Sequence, residues 1–329
     1  MHILIIGAAG MVGRKLSAAL LDSGQVGGRE ISRLTLADVV APAPATQPGI
    51  EIETVAIDLS APASAAQLVA PRPELIFHLA AIVSGEAEAD FEKGYRINLD
   101  GTRYLLEAIR LEGQQSPYKP RLVFTSSIAV FGAPFPEAIG DEFFSTPLTS
   151  YGTQKAICEL LLNDYSRRGF LDGVGIRLPT IVIRPGKPNL AASGFFSNIL
   201  REPLVGQEAV LPVGKDVRHW FASPRAAVGF LTHAAEIDTT QLGWRRTLSV
   251  PGLSATVGEE IEALRRVAGD KAVSLIREEP DEKIIGMVAG WPRNFDAKRA
   301  ASLGFTAESS FDEIIRIHIE DELGGRIGG

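Results

Sequence analysis

The sequence predicts an α/β fold: a doubly wound parallel sheet followed by a smaller C-terminal lobe. Three observations carry this expectation. An apolar strand, a glycine turn and a helix open the chain in direct succession, from His2 to Gly24. Strand-like and helix-like stretches then alternate, which implies parallel strands joined by helices on both faces. Beyond Gly175 the alternation gives way to shorter mixed segments.

His2 to Ile6 is an apolar, branched run suited to a strand buried on both faces. It stops at Gly7, and Gly10 and Gly13 follow. Met11 and Val12 lead into a helix whose apolar positions Val12, Leu16, Ala19 and Leu20 recur until Gly24. Each glycine has its own reason. Gly7 lets the backbone bend sharply, Gly10 lets a pyrophosphate approach the main chain, and Gly13 lets helix and strand pack closely. The helix start offers N–H groups and the positive end of its dipole to the phosphates. A glycine-rich turn without a ligand is the alternative; the flanking strand and helix favour a Rossmann-type dinucleotide site at Gly7, Gly10, Met11, Val12 and Gly13.

Leu34 to Ala37 reads as the second strand and ends at Asp38. A carboxylate about 20–25 residues beyond the glycines is where such a fold holds the adenosine ribose hydroxyls. An acid there repels a 2′-phosphate, so NAD is expected over NADP, unless Asp38 is an ordinary strand-end residue. Ala41 to Gly49, rich in proline and alanine, reads as an exposed connection. Ile50 to Ile57 then delivers Asp58 and Leu59 as candidates for the adenine edge; helix capping by Asp58 or Ser60 explains the same residues. Leu75 to Leu79 is a buried strand, and the small Ala80 and Ala81 leave room for a flat ligand. A helical stretch from about Glu86 to Leu111 carries Asn98, which either repairs an irregularity near the cofactor or faces solvent.

Arg121 to Thr125 forms the next strand and runs into Ser126 and Ser127. Ala133 to Pro147 reads as a loop with three prolines. A connection of that length is commonly functional. A helix follows from Ser150 to Arg168. Tyr151 and Lys155 are four positions apart in it and project from one face. Cys158, on the same helix among apolar neighbours, reads as a buried thiol. Ile176 to Ile183 forms a strand and Arg184 to Asn189 breaks it. Thr247 to Val250 is a later strand returning to the sheet, and Thr256 to Ala268 and Phe311 to Leu323 are helices. The expected division is a dinucleotide-binding domain at 1–183, joined by strand 247–250, and a substrate-binding lobe at 184–329.

The bulk composition narrows the partners. Hydrophobic residues make up 45% of the 329 and charged residues 22%, as in a packed globule. A net charge of −7 argues against nucleic acid or an anionic membrane surface as the main partner. The single cysteine allows no internal disulfide and fits a reducing compartment. The amino terminus lacks a signal-peptide pattern, and its apolar run is too short to span a bilayer. A cytoplasmic protein is expected. The five histidines show no metal-ligand spacing, so no metal is expected, and His219 reads as a structural imidazole.

The chemistry resides in Ser127, Tyr151 and Lys155. A free tyrosine titrates near about 10 and is a poor base at neutral pH. An ammonium one helical turn away, with an oxidised nicotinamide, favours the phenolate. Tyr151 can then take a substrate hydroxyl proton while hydride leaves the same carbon. Ser127 holds that oxygen, and Lys155 also reaches the nicotinamide ribose.

Five pieces together resemble the extended branch of the short-chain dehydrogenase/reductases. They are Gly7-Ala-Ala-Gly-Met-Val-Gly13, Phe77-His-Leu-Ala-Ala81, Asn98-Leu-Asp-Gly-Thr102, Thr125-Ser-Ser-Ile-Ala-Val-Phe-Gly132 and Tyr151-Gly-Thr-Gln-Lys155. The resemblance implies NAD(H) or NADP(H) as cofactor and Ser127, not Ser126, as the catalytic serine. It adds Leu79, Thr125 and Pro179 to the expected cofactor contacts. It also implies a homodimer packed through the helices carrying Asn98 and Tyr151. Nucleotide-sugar enzymes of this branch carry an Arg-Asp-Phe-like segment before His-Val and an acid. Here Arg218-His-Trp-Phe-Ala-Ser-Pro-Arg225 stands instead, and Leu178 to Gly186 also departs. The chain as a whole is similar to a subgroup that oxidises the hydroxyl next to the carboxylate of a four-carbon sugar acid. For such a substrate Arg184 and Arg218 are the carboxylate candidates, since a guanidinium grips a carboxylate with two parallel bonds. Ser84 and Asn189 are the hydroxyl candidates, beside Ser127 and Tyr151. Each of the four has an alternative as a surface or capping residue. Nucleotide-sugar epimerase or dehydratase is the second reading, and a non-catalytic NAD-binding regulator the third.

Overall fold

The computed structural model describes residues 1–186 and 193–328. Its main sheet has seven strands: β1 (His2–Ile6), β2 (Arg33–Asp38), β3 (Glu51–Ala56), β4 (Leu75–His78), β5 (Arg121–Ser127), β6 (Asp172–Leu178) and β7 (Thr247–Ser249). Their order is β7-β6-β5-β4-β1-β2-β3. The pairings of β1 with β2 and β4, of β2 with β3, and of β4 with β5 are parallel. Succession therefore reverses between β1 and β4, the switch point where sheets of this kind open a crevice for ligand. Ile3 to Ile6 are 2% exposed or less. That explains an uninterrupted apolar run where a half-buried strand would alternate.

Helices cover this sheet: α1 (Met11–Ser23), α2 (Pro62–Val69), α3 (Gly101–Gln115), α4 (Ser150–Arg167) and α5 (Pro224–Glu236). Gly24 ends α1 at φ 66°, its N–H returning to Leu20 O, a conformation that costs glycine little. Leu4, Ile6, Ile76, Leu122 and Phe124 of the strands pack with Leu68, Leu105, Leu106, Ile109 and Leu162 of the helices. Each such side chain contributes about 1.5–3 kcal/mol on burial.

Four expectations are corrected. The helical stretch predicted from Glu86 to Leu111 is divided. Ser84–Ala89 ends at Asp90, which leaves helical geometry at φ −130° and ψ 91°. The Asp90 side chain caps the next turn, Phe91–Gly94, by accepting from Lys93 N at 3.0 Å. A π turn, Tyr95–Asp100, precedes α3. The strand predicted from Ile176 to Ile183 starts at Asp172 and ends at Leu178, because Pro179 has no N–H to continue the ladder. Thr180–Ile181 pairs in parallel with Arg218–Ala222 in a separate sheet. The connection from Ala133 to Pro147 contains a short strand, Ile139–Gly140, paired with Phe295–Asp296. The helix predicted from Thr256 to Ala268 runs from Val257 to Val273 with a kink at Gly269. Thr256 caps it and Glu259 answers in a capping box.

The chain divides into two compact units, Met1–Val130 with Thr149–Arg177 and Val228–Leu248, and Phe131–Leu148 with Leu178–Ala227 and Ser249–Gly329. The second unit is built on the sheet of Thr180–Ile181, Arg218–Ala222 and Leu253–Thr256. Its core gathers Phe196, Leu200, Phe221, Leu264, Ile314 and Ile315. Glu260 is wholly buried on the apolar stripe of Val257, Ile261 and Leu264, and neither carboxylate oxygen has a hydrogen-bond partner among the described residues. Burial pushes this carboxyl well above the usual carboxylate range. A raised folded-state pKa means that stability is lost as pH rises. The loss begins above the unfolded value of about 4.3 and continues up to the folded one. Glu260→Gln is therefore expected to melt higher than the parent at pH 8, with the gap closing toward pH 4. Melting curves across that range check it; a gap independent of pH contradicts it.

Candidate active site

The glycine turn lies at the C-terminal end of β1, at the switch point. Gly7 N and Ala8 N both donate to Ala37 O, at 2.8 and 3.1 Å, tying the turn to β2. Gly7 has φ 94°, and a Cβ there would stand 2.6 Å from Ala80 N. A Cβ on Gly13 would overlap Gly7 O and stand 2.8 Å from Ala8 Cα. Gly10 differs: a Cβ would meet only Gly7 O, at 3.3 Å, and the residue is exposed. Gly10 is also the N-cap of α1, with no side-chain cap and no acid in the first turn. The helix start at Met11 and Val12 is thus shaped for an anion. These features fit a dinucleotide pyrophosphate.

Asp38 ends β2 beside this turn, and its Oδ2 accepts from Ala9 N at 2.9 Å. Asp58 faces Ser60, accepting from its N at 2.9 Å and its Oγ at 2.7 Å. Those bonds close a local turn and are not a helix cap: the N-cap of α2 is Ala61, with no side-chain cap. Leu59 is buried, with Gly101 of α3 against it. Leu79 N and Ala80 N both donate to Ile6 O, at 2.8 and 3.0 Å, which sets Leu79, Ala80 and Ala81 beside Gly7. Asn98, 2% exposed, sits in the π turn and does not face solvent. Its Oδ1 accepts from Ile82 N at 2.9 Å and its Nδ2 donates to Gln154 Oε1 at 2.8 Å. It thereby ties the segment after Ala81 to α4, at a helix irregularity.

Thr149 caps α4 by accepting from Gly152 N at 3.1 Å, which fixes where Tyr151 and Lys155 emerge. Lys155 is 2% exposed and its Nζ donates to Thr125 O at 2.8 Å. The ammonium lies 4.8 Å from the Phe124 ring centre and 5.8 Å from that of Tyr151. Burial pulls its pKa down to about 8, against the opposing influence of Cys158 and Glu159. Cys158 is a buried thiol, pushed up to about 11 by burial. His78 is drawn down to about 3, by burial first and then by Lys155, so it stays neutral. Thr125 Oγ1 donates to His78 O at 3.1 Å, and Ser127 Oγ accepts from Ala129 N at 3.1 Å. The structure thus brings Thr125, Ser127, Tyr151 and Lys155 to one strand end and one helix start, within the first unit.

The remaining candidates fall in both units. Ser84 opens the Ser84–Ala89 helix of the first unit. Pro179, Arg184 and Arg218 belong to the second unit. Arg184 donates to Ile181 O at 3.0 Å and Ser193 Oγ at 2.7 Å. Arg218 donates to Ser254 O at 3.1 Å and pairs with Glu259 at 3.2 Å. Asn189 lies outside the described residues. His219 is held between Thr180 Oγ1 and Pro292 O, at 2.7 and 2.8 Å, and stacks on Phe196; it is structural. Gln154 and Glu159 were not singled out by sequence reasoning, although both sit beside Lys155 on α4. Among the described residues no His, Cys, Asp and Glu group could hold a metal ion, and no helix is long and apolar enough to cross a membrane.

A glycine turn at the switch point, with a tyrosine and a buried lysine one turn apart beside it, defines a dinucleotide-dependent oxidoreductase class. The chain matches the model of the NAD dependent epimerase/dehydratase family over residues 3–241. It belongs to that family and is a nicotinamide-dependent enzyme of the extended short-chain dehydrogenase/reductase type. It is 48% identical to a D-erythronate dehydrogenase of Cupriavidus necator, over 98% of each chain. With a D-erythronate dehydrogenase of Haemophilus influenzae the identity is 43%, over 98% of this chain and all of the relative. A crystal structure described as the nucleoside-diphosphate-sugar epimerase from Agrobacterium tumefaciens superposes with a TM-score of 0.97 at 70% identity. That match covers 99% of this chain and 95% of the other.

Proposed function

We propose that this enzyme oxidises the hydroxyl next to the carboxylate of a small sugar acid, D-erythronate to 2-oxo-tetronate, with NAD and with Tyr151 as general base. The observation that carries the reading is end-to-end similarity to two D-erythronate dehydrogenases, at 48% and 43% identity. When bound, NAD supplies the hydride acceptor. The chain's own residues do the rest. Tyr151 accepts the hydroxyl proton, and Ser127 donates a hydrogen bond to the same oxygen and fixes its position. Lys155, buried and cationic at neutral pH, favours the phenolate by its charge. Arg184 or Arg218 receives the carboxylate, and Ser84 and Asn189 serve hydroxyls. Cytoplasmic location and a homodimer packed through the helical stretch that carries Asn98 and continues as α3, and through α4, belong to the same reading. Leu160 on α4 is 68% exposed, which suits a covered face.

The second reading, a nucleotide-sugar epimerase, is favoured by the description of the Agrobacterium structure. Purified protein with NAD and a panel of aldonates separates the two. Reduced-nicotinamide absorbance with D-erythronate supports the first reading; silence there, with turnover of a UDP- or TDP-sugar, supports the second. Asp38 tests the cofactor. The parent is expected to use NADP at least about tenfold less efficiently than NAD, from like-charge repulsion with the 2′-phosphate. Asp38→Ala narrows that gap, measured as kcat/KM for each cofactor. Equal efficiency in the parent contradicts the role.

A further inference from the structure

Glu159 lies one helical turn beyond Lys155, with a side chain 5% exposed. Its Oε1 accepts from Ser126 Oγ at 2.5 Å and from Arg177 Nε at 2.9 Å. Its Oε2 accepts from Arg177 Nη2 at 2.7 Å, which completes a two-pronged pair. Three elements meet there: α4, the end of β5, and β6. Such a pair gives little stability over an apolar replacement of the same shape, since both ions lose their water. Its value is geometric. Ser126 stands between Thr125, whose carbonyl accepts from Lys155, and Ser127. Side chains alternate along a strand, so Ser126 faces the opposite side of the sheet from Ser127. Holding Ser126 against α4 fixes the strand end that carries Ser127.

We propose that Glu159, clamped by Arg177, is a positioning residue: through Ser126 it orients the end of β5, and so sets Ser127 and Lys155 relative to Tyr151. The inference rests on the catalytic reading of Ser127, Tyr151 and Lys155 given above. Charge adds to geometry. Among the groups around Lys155, His78 stays neutral and Cys158 is a thiol up to about 11. Glu159 is, after Cys158, one of the two groups that oppose the burial effect on Lys155, and it is paired with Arg177.

Glu159→Gln keeps the side chain's shape and removes the charge. The expected result is a kcat lower by about 10- to 100-fold, the scale of a small misplacement of reacting groups. KM for NAD stays within about threefold, because no Glu159 atom is assigned to the cofactor. The alkaline limb of kcat against pH moves to lower pH. Ser126→Ala leaves the ion pair intact and removes only the link to β5; it is expected to lower kcat without moving that limb. The second variant keeps the test open if the first does not fold. A folded Ser126→Ala enzyme with parental kcat overturns the proposal. So does a folded Glu159→Gln enzyme with parental kcat and pH profile. If the parent turns over a nucleotide sugar and no aldonate, the substrate reading fails, and the same comparison on the nucleotide sugar still decides the role of Glu159.

Discussion

Tyr151→Phe is expected to lower kcat by about 10²- to 10⁴-fold, the range assigned to a positioned general base, while NAD binds nearly as tightly as to the parent. The substitution removes one hydroxyl from the half-buried second residue of α4. It leaves Lys155 bonded to Thr125 O and the Thr149 cap in place. Loss of rate with retained affinity is the signature of an interaction made in the transition state. Steady-state kinetics with a calorimetric NAD titration measures both. A Tyr151→Phe enzyme of parental rate refutes the assigned base.

The glycine turn gives the second large effect, and its two sites separate stability from binding. A Gly13→Ala methyl overlaps Gly7 O and crowds Ala8 Cα at 2.8 Å, both backbone atoms that cannot rotate away. Overpacking of this kind costs about 1–3 kcal/mol or more, so Gly13→Ala is expected to melt several degrees lower and to bind NAD poorly. The Gly10→Ala methyl meets only Gly7 O, at 3.3 Å, on an exposed face. That variant is expected to melt close to the parent, yet to lose at least about tenfold in NAD affinity where the pyrophosphate would approach. Melting curves and NAD titrations of the pair check it. A Gly10→Ala protein of parental affinity contradicts the phosphate-binding role of the turn.

The legible parts of this molecule were those encoded locally. Three glycines between a strand and a helix mark their turn because a side chain at Gly7 or Gly13 would strike backbone, while Gly10 keeps the helix start open to an anion. Tyr151 and Lys155 share a helix face, and four-residue spacing alone puts them together. The break at Asp90 left no such trace: no glycine or proline marks it, and the aspartate works as a cap only once the helix has stopped. Pro179 did mark the end of β6, but the apolar residues on either side read as one run. The Glu159–Arg177 pair joins residues 18 apart on different elements, so it emerges only when α4 is laid against β6. Arg184 and Arg218 make bonds inside the second unit that no spacing foretells. The Asn98 repair was legible as a misfit, a polar residue among good helix formers, and the π turn is its cause.

The central claim is that the Tyr151 phenol acts on substrate beside a nicotinamide anchored at Gly7 to Gly13. A crystal structure with NAD and D-erythronate tests it most directly. The account predicts the pyrophosphate over the N-terminus of α1, and the Tyr151 hydroxyl within hydrogen-bond reach of the hydroxyl next to the carboxylate. A Tyr151 ring turned away from both the nicotinamide and the sugar acid would contradict it.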